Sequence, residues 1–119
     1  MTFLETLKDI SDRLGDVQCV LLMGNDGLPI EKITLNKELN IELLLAEFTT
    51  ILRNTAQAAA EVEAGNLDEI ILLTEQMILL VKAITPEYFL LMVLPQGSNL
   101  GRARFELKKA RYSLEKEFV

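Results

Sequence analysis

The chain has 119 residues, half of them apolar and a quarter charged, the size and balance of one folded domain spanning residues 1–119, which excludes a second domain, a disordered tail and a low-complexity segment. A formal charge of -6 and the absence of histidine argue against counterion-release binding to nucleic acid and exclude histidine-dependent triads, dyads and zinc sites. The single cysteine, Cys19, can form no internal disulfide, so the fold needs no oxidising compartment and the expected setting is the cytoplasm.

The first residues carry Glu5 and Asp9 and lack the pattern of a secretory leader. Phe3, Leu4, Leu7, Ile10 and Leu14 recur at helical spacing, with Thr2 as N-cap and Gly15 as stop. Val17 to Met23 is apolar at almost every position, as expected of a central strand covered on both faces. Asn25-Asp26-Gly27 supplies a turn into a second strand, Leu28 to Leu35, whose Pro29, Glu31 and Lys32 suit a sheet edge.

From Glu38 to Ala64 there is no Pro or Gly, which predicts a helix of up to 27 residues ended by Gly65-Asn66. Three strand-like runs follow, Leu67 to Thr74, Met77 to Ile84 and Glu87 to Leu94, with turns too short for a helical crossover. They predict an antiparallel meander. Pro95 and Gly97 break the last run, and Ser98 or Asn99 caps a helix from Leu100 to about Glu117. Glu75, Lys82, Pro86 and Glu87 interrupt the most apolar region, Ile70 to Leu94, so no membrane insertion is expected.

The order αββαβββα predicts an α+β fold with a five-stranded antiparallel sheet. Placing the two most apolar strands side by side gives strand order 2-1-5-4-3, with the third strand at an edge. Leu67 and Ile70 to Leu73 make that edge strongly apolar, where charges, prolines or bulges are the usual protection. Pairing with the same strand of a second copy would remove both edges and make a homodimer with a continuous sheet.

The long helix supports the same reading. Ile41, Leu45, Phe48, Leu52, Thr55, Ala59 and Val62 form one apolar row, and Leu44, Ile51 and Ala58 form a second. One row can lie on the sheet while the other meets the equivalent helix of a second chain. The expected dimer interface is therefore Leu44, Ile51, Ala58, Ile70, Ile71 and Leu72; a single amphipathic helix on its own sheet is the plainer alternative. Its polar side carries Glu38, Glu42, Glu47, Arg53, Gln57, Glu61 and Glu63, a solvated face or a docking surface for a basic partner.

Few motifs carry chemistry. Asn25-Asp26-Gly27 reads as a hairpin turn, since no calcium loop or glycine-rich phosphate loop accompanies it. Gly97 to Gly101 followed by Arg102 and Arg104 could hold a phosphate at a helix start, against the plainer reading in which Asn99 caps the helix, Gly101 permits close packing and the arginines pair with acids. Asp68-Glu69 are expected on opposite faces of a strand, and Glu61 and Glu63 on different sides of a helix. Cys19 reads as a buried small hydrophobe, and Met23, Met77 and Met92 as core filler. Catalytic residues, cofactor sites and metal sites are expected to be none. Residues 1–98 carry a formal -9 and residues 99–119 a formal +3, so the last helix is locally basic.

Leu22-Met23-Gly24-Asn25-Asp26-Gly27-Leu28-Pro29-Ile30 resembles the first hairpin of Roadblock/dynein light chain domains, and Asn99-Leu100-Gly101-x-Ala103-Arg104 resembles the start of their last helix. The motif positions are Gly24, Asp26, Gly27, Pro29, Asn99, Leu100, Gly101 and Arg104. The likeness is strongest to bacterial, MglB-like members. It implies a homodimer with two long helices on one face of a continuous sheet and the first and last helices on the other. It further implies a non-catalytic partner of a Ras-like small GTPase that stimulates GTP hydrolysis without an arginine finger of its own. Residues Glu42, Glu47, Arg53, Gln57 and Glu61 are the expected partner-binding surface. Val119 follows directly on the last helix, where MglB-like proteins often carry an extension. A passive scaffold or adaptor subunit, indifferent to nucleotide state, is the alternative function, and a small-molecule sensor using the Asn99 to Arg104 helix start is a third.

Overall fold

The computed structural model describes residues 2–118. The elements run α1 (Phe3–Leu14), β1 (Cys19–Gly24), β2 (Pro29–Thr34), α2 (Ile41–Glu61), β3 (Glu69–Leu73), β4 (Met77–Thr85), β5 (Tyr88–Pro95) and α3 (Leu100–Glu115), followed by a short 3-10 turn over Lys116–Phe118. One antiparallel sheet has the order β2-β1-β5-β4-β3, as the sequence predicts.

Alternation along the central strands separates two cores. Val20 and Leu22 of β1, Ile78 and Leu80 of β4, and Leu90, Met92 and Leu94 of β5 face one side, where Leu7 and Ile10 of α1 and Ala103, Leu107, Ala110 and Leu114 of α3 cover them. Cys19, Leu21, Met23, Leu79, Val81, Phe89, Leu91 and Val93 face the other side, under Leu45 and Leu52 of α2. Every residue of β1 is buried, which explains why that strand lacks the polar alternation of a one-sided sheet. Each fully buried leucine contributes about 1.5–3 kcal/mol relative to exposure, so the two faces together hold the fold.

Caps fix the helices. Thr2 accepts a hydrogen bond from the Glu5 amide at 3.1 Å while its own amide donates to Glu5 Oε1 at 3.3 Å, a reciprocal capping box. Gly15, left-handed at φ 80°, ends α1.

The long helix is shorter than the predicted 27 residues, at 21. Asn40 is its N-cap, accepting from the Leu43 amide at 3.1 Å. Residues 36–39 instead form a turn in which Asn36 Oδ1 accepts from the Glu38 amide. At the other end the Ala64 amide donates to Ala59 O and the Glu63 amide to Ala60 O, the paired bonds of a Schellman turn, with Glu63 at φ 58° in the left-handed position. The helix thus stops before Gly65, and Val62, Glu63 and Ala64 lie beyond it.

The strand bounds also shift. β2 is Pro29–Thr34 rather than Leu28 to Leu35, and β3 is Glu69–Leu73 rather than Leu67 to Thr74. Asp68 therefore precedes the β3 ladder. Among the described residues, no helix is long and apolar enough to cross a membrane.

Candidate functional site

Of the 21 residues of α2, only Leu45, Thr49 and Leu52 are buried. Ile41, Leu44 and Phe48 are half-buried at the rim of that core. Ile51 is 41% exposed, and Ala58 is exposed. The row Leu44, Ile51 and Ala58 lies about 100–140° around the helix from Leu45, an apolar flank half-buried at Leu44 and open at Ile51 and Ala58.

Glu42, Glu47, Arg53, Gln57 and Glu61 are all exposed, but they form no single stripe. Glu42 and Arg53 lie within about 20° of one another, with Glu47 about 140° from Glu42. Arg53 leans toward the β1–β2 turn, where its Nε donates to Asn25 O at 2.9 Å. Gln57 Nε2 donates to Glu61 Oε1 at 3.1 Å.

The β1–β2 turn is built for contact with α2. Asp26 Oδ1 accepts from the Leu28 amide at 3.0 Å, and the Gly27 amide donates to Gly24 O at 3.1 Å. Gly27 has φ 87°, and a Cβ there would stand 2.8 Å from Thr49 Oγ1 and 3.2 Å from its methyl. Only glycine meets both demands. Pro29 opens β2, whose edge position makes its missing N–H harmless. Thr49 Oγ1, pressed against this turn, is buried without a hydrogen-bond partner.

β3 lies at the sheet edge. Ile70 and Leu72 pair with Val81 and Leu79 and so face the α2 side, whereas Ile71 and Leu73 pair with Leu80 and Ile78 and face the α3 side. Ile71, Leu72 and Leu73 are 39%, 37% and 59% exposed, so the strand shows apolar surface on both faces.

The start of β3 is held by charge. Lys82, buried within β4, donates from Nζ to Asp68 Oδ1 at 3.0 Å, and Arg111 reaches the same oxygen at 3.1 Å. Hydrogen bonding from Lys82, against a smaller opposing effect of burial, holds the Asp68 carboxyl below its ordinary value. Arg104 grips Glu69 with two bonds, which likewise lowers the Glu69 carboxyl. Asp68 and Glu69 thus serve one groove beside α3 rather than opposite faces, because Asp68 lies outside the alternating ladder. Lys82, a cation within an apolar strand, is the sequence signal for this anchor.

The helix start at Asn99 is engaged elsewhere than with an oxyanion. Asn99 caps through a bond from the Arg102 amide at 3.0 Å, Arg102 Nη2 donates to Arg13 O at the end of α1 at 2.8 Å, and Arg104 is committed to Glu69. The phosphate and sensor readings lose their arginines. Gly101 is exposed, and a Cβ there would meet only Asn99 Oδ1 at an ordinary 3.6 Å, so close packing does not require it. Leu100 is half-buried against the α1–α3 core. Burial pushes the Cys19 thiol up to about 11, opposed weakly by Thr34 and Lys32, in keeping with an inert core residue.

No family model matches the sequence, and comparison with curated proteins gives no match. Solved structures do match. Myxococcus xanthus MglB is 15% identical, with a TM-score of 0.86 over 99% of this chain and 98% of that one. A Roadblock/LC7 domain from Streptomyces avermitilis is 12% identical, with a TM-score of 0.85 over 99% and 98%. The gliding protein MglB of Thermus thermophilus is 19% identical, with a TM-score of 0.83 over 94% and 84%. These likenesses run over nearly the whole chain, and the chain has the Roadblock/LC7 fold.

Proposed function

We propose that this protein is a homodimeric, non-catalytic regulator in the cytoplasm that binds a Ras-like small GTPase and stimulates its GTP hydrolysis. The observation that carries the reading is the incomplete burial of α2. It spans 21 residues and buries three of them, while Ile51 and Ala58 are exposed and Leu44 is half-buried along an apolar flank. Dimerisation through Ile70, Ile71 and Leu72 would join two sheets, and the two α2 helices would then pack through that flank. The likeness to MglB supports the choice of partner.

Glu42, Glu47, Arg53, Gln57 and Glu61 would then flank a doubled α2 layer as the docking surface, with the Asn25–Gly27 turn fixed beside Arg53. Stimulation requires higher affinity for the GTPase conformation in which its own residues surround the γ-phosphate; equal affinity for all states would change nothing. The chain supplies shape and charge rather than a reacting group.

The test is capture of small GTPases from the source cell's lysate on immobilised protein, in parallel with GDP and a non-hydrolysable GTP analogue, followed by a hydrolysis assay of the captured GTPase. Capture restricted to the analogue, with faster hydrolysis, supports the proposal. Equal capture in both nucleotide states overturns it in favour of a passive adaptor.

A further inference from the structure

We infer that the groove between α3 and the start of β3 is a second docking site, taking an acidic, amphipathic helical segment of a partner protein. It lies on the sheet face opposite α2 and is independent of the GTPase reading.

The exposed charged residues of α3 are Arg102, Arg104, Lys108 and Lys109, all basic, while its acids Glu106 and Glu115 are buried and half-buried. This face belongs to a chain of net charge -6. Two aromatic rings stand among these cations. Phe105 is 60% and Tyr112 63% exposed, and Lys109 Nζ lies 5.9 Å from the Phe105 ring centre. Paired exposed aromatics with basic neighbours have the composition of an interface rather than of ordinary solvated surface.

Beside them lies a groove of about 430 Å³ lined by both rings, by Lys108 and Glu115, and by the Asp68, Glu69, Lys82, Arg104 and Arg111 network. Its three carboxylates are already met by cations: Asp68 by Lys82 and Arg111, Glu69 by Arg104, and Glu115 by Arg111 at 3.7 Å. Lys108, also on the groove wall, makes no ion pair among the described residues. Four cations face three carboxylates, and Lys108 is the positive charge left for an incoming acid. Ile71 and Leu73, outside the groove itself, show apolar surface on the same side of the sheet.

The occupant follows from this geometry. Phe105 and Tyr112 are two helical turns, about 10 Å, apart along the axis, which matches apolar side chains at i and i+7 of a helix laid alongside α3. Acidic residues flanking that seam would meet Lys108 and Lys109. A flat anionic bilayer fits less well, because the surface is a groove rather than a plane.

The experiment selects from a displayed library of random 16-residue peptides on the full-length protein and measures the winners by fluorescence anisotropy. Winners rich in Asp and Glu with apolar residues at helical spacing are expected. Their affinity should fall at least tenfold with Lys108→Glu and with Phe105→Ala combined with Tyr112→Ala, and should be unchanged by Glu47→Lys on α2. All these side chains are exposed, and unchanged circular dichroism and melting temperature verify each fold; Lys108→Glu alone decides the matter if the aromatic variant unfolds. Basic or unenriched winners, or acidic winners insensitive to Lys108→Glu, overturn the proposal. So does sedimentation with phosphatidylserine vesicles that the same variants abolish while no acidic peptide is selected, which would assign the face to membrane, or loss of self-association in Lys108→Glu, which would assign it to a second copy.

Discussion

Glu69 at the start of the edge strand and Arg104 on α3 form a two-pronged ion pair, Nε to Oε1 at 2.8 Å and Nη2 to Oε2 at 2.9 Å. The pair joins residues 35 positions apart and ties the sheet edge to the last helix. Its companion, Asp68 with Lys82 and Arg111, ties the residue before the strand to β4 and the same helix. The edge strand is thereby fixed in place without a neighbour on its outer side.

The two carboxylates make stability pH-dependent in a defined direction. Both have pKa values depressed in the folded chain, Glu69 from an ordinary 4.5 and Asp68 from 3.8. A depressed carboxylate binds fewer protons when folded, so its stabilisation is fully present above the ordinary value and is lost as pH falls through the lowered one. Urea midpoints should therefore be flat with respect to these groups above about pH 5 and decline below about pH 4. Glu69→Gln should reduce the steepness of that decline. Identical acid limbs for both proteins would show that the pair contributes nothing.

At the β1–β2 turn, Gly27→Ala combines a disfavoured φ with a Cβ 2.8 Å from Thr49 Oγ1. It should cost about 1–3 kcal/mol. Thr49→Val should act in the opposite sense, removing a buried hydroxyl that has no partner while keeping the shape, and should stabilise by about 1 kcal/mol. Chemical denaturation of the two variants checks both signs.

The end of α2 holds a correctable strain. Glu63 occupies the left-handed position of the Schellman turn at φ 58°, a conformation costing a non-glycine residue about 1 kcal/mol. Glu63→Gly should recover roughly 0.5–1 kcal/mol, seen as a higher urea midpoint with unchanged slope. A lower midpoint would mean that the glutamate side chain stabilises the turn by more than its backbone costs.

The sheet order was legible because Val17 to Met23 and Tyr88 to Leu94 are too apolar to lie anywhere but the centre, while short turns forbid crossovers. Helix α2 was over-long in the sequence reading because Glu38 and Glu63 are both good helix formers. What stops it is local hydrogen bonding by Asn40 and a left-handed turn on Glu63, neither of which a propensity argument weighs. The polar face of α2 was legible as exposed but not as divided, since Arg53 is drawn to a backbone carbonyl in a turn 28 positions away. The Asp68–Lys82 anchor was hidden for a similar reason. Alternation assigns faces only within a ladder, and Asp68 stands just outside one.

Dimerisation is the prediction on which the proposed function rests. Ile71 is 39% exposed on an open edge strand and Ile51 41% exposed on the free flank of α2, so a longer polar side chain at either position, as in Ile71→Lys or Ile51→Glu, can turn outward to solvent. Each should leave the monomer folded and weaken self-association, because a charge placed in a buried apolar seam is unpaired there. Light scattering after gel filtration should give twice the 13.4 kDa chain mass for the unaltered protein and a concentration-dependent fall toward that mass for either variant. The two sites separate the two halves of the interface. If only Ile71→Lys dissociates the dimer, the sheets join but the helices do not meet; if only Ile51→Glu does, the helices pair across an edge that stays open. A chain mass of 13.4 kDa for the unaltered protein across micromolar concentrations would remove the dimer, and with it the doubled α2 surface proposed for the GTPase.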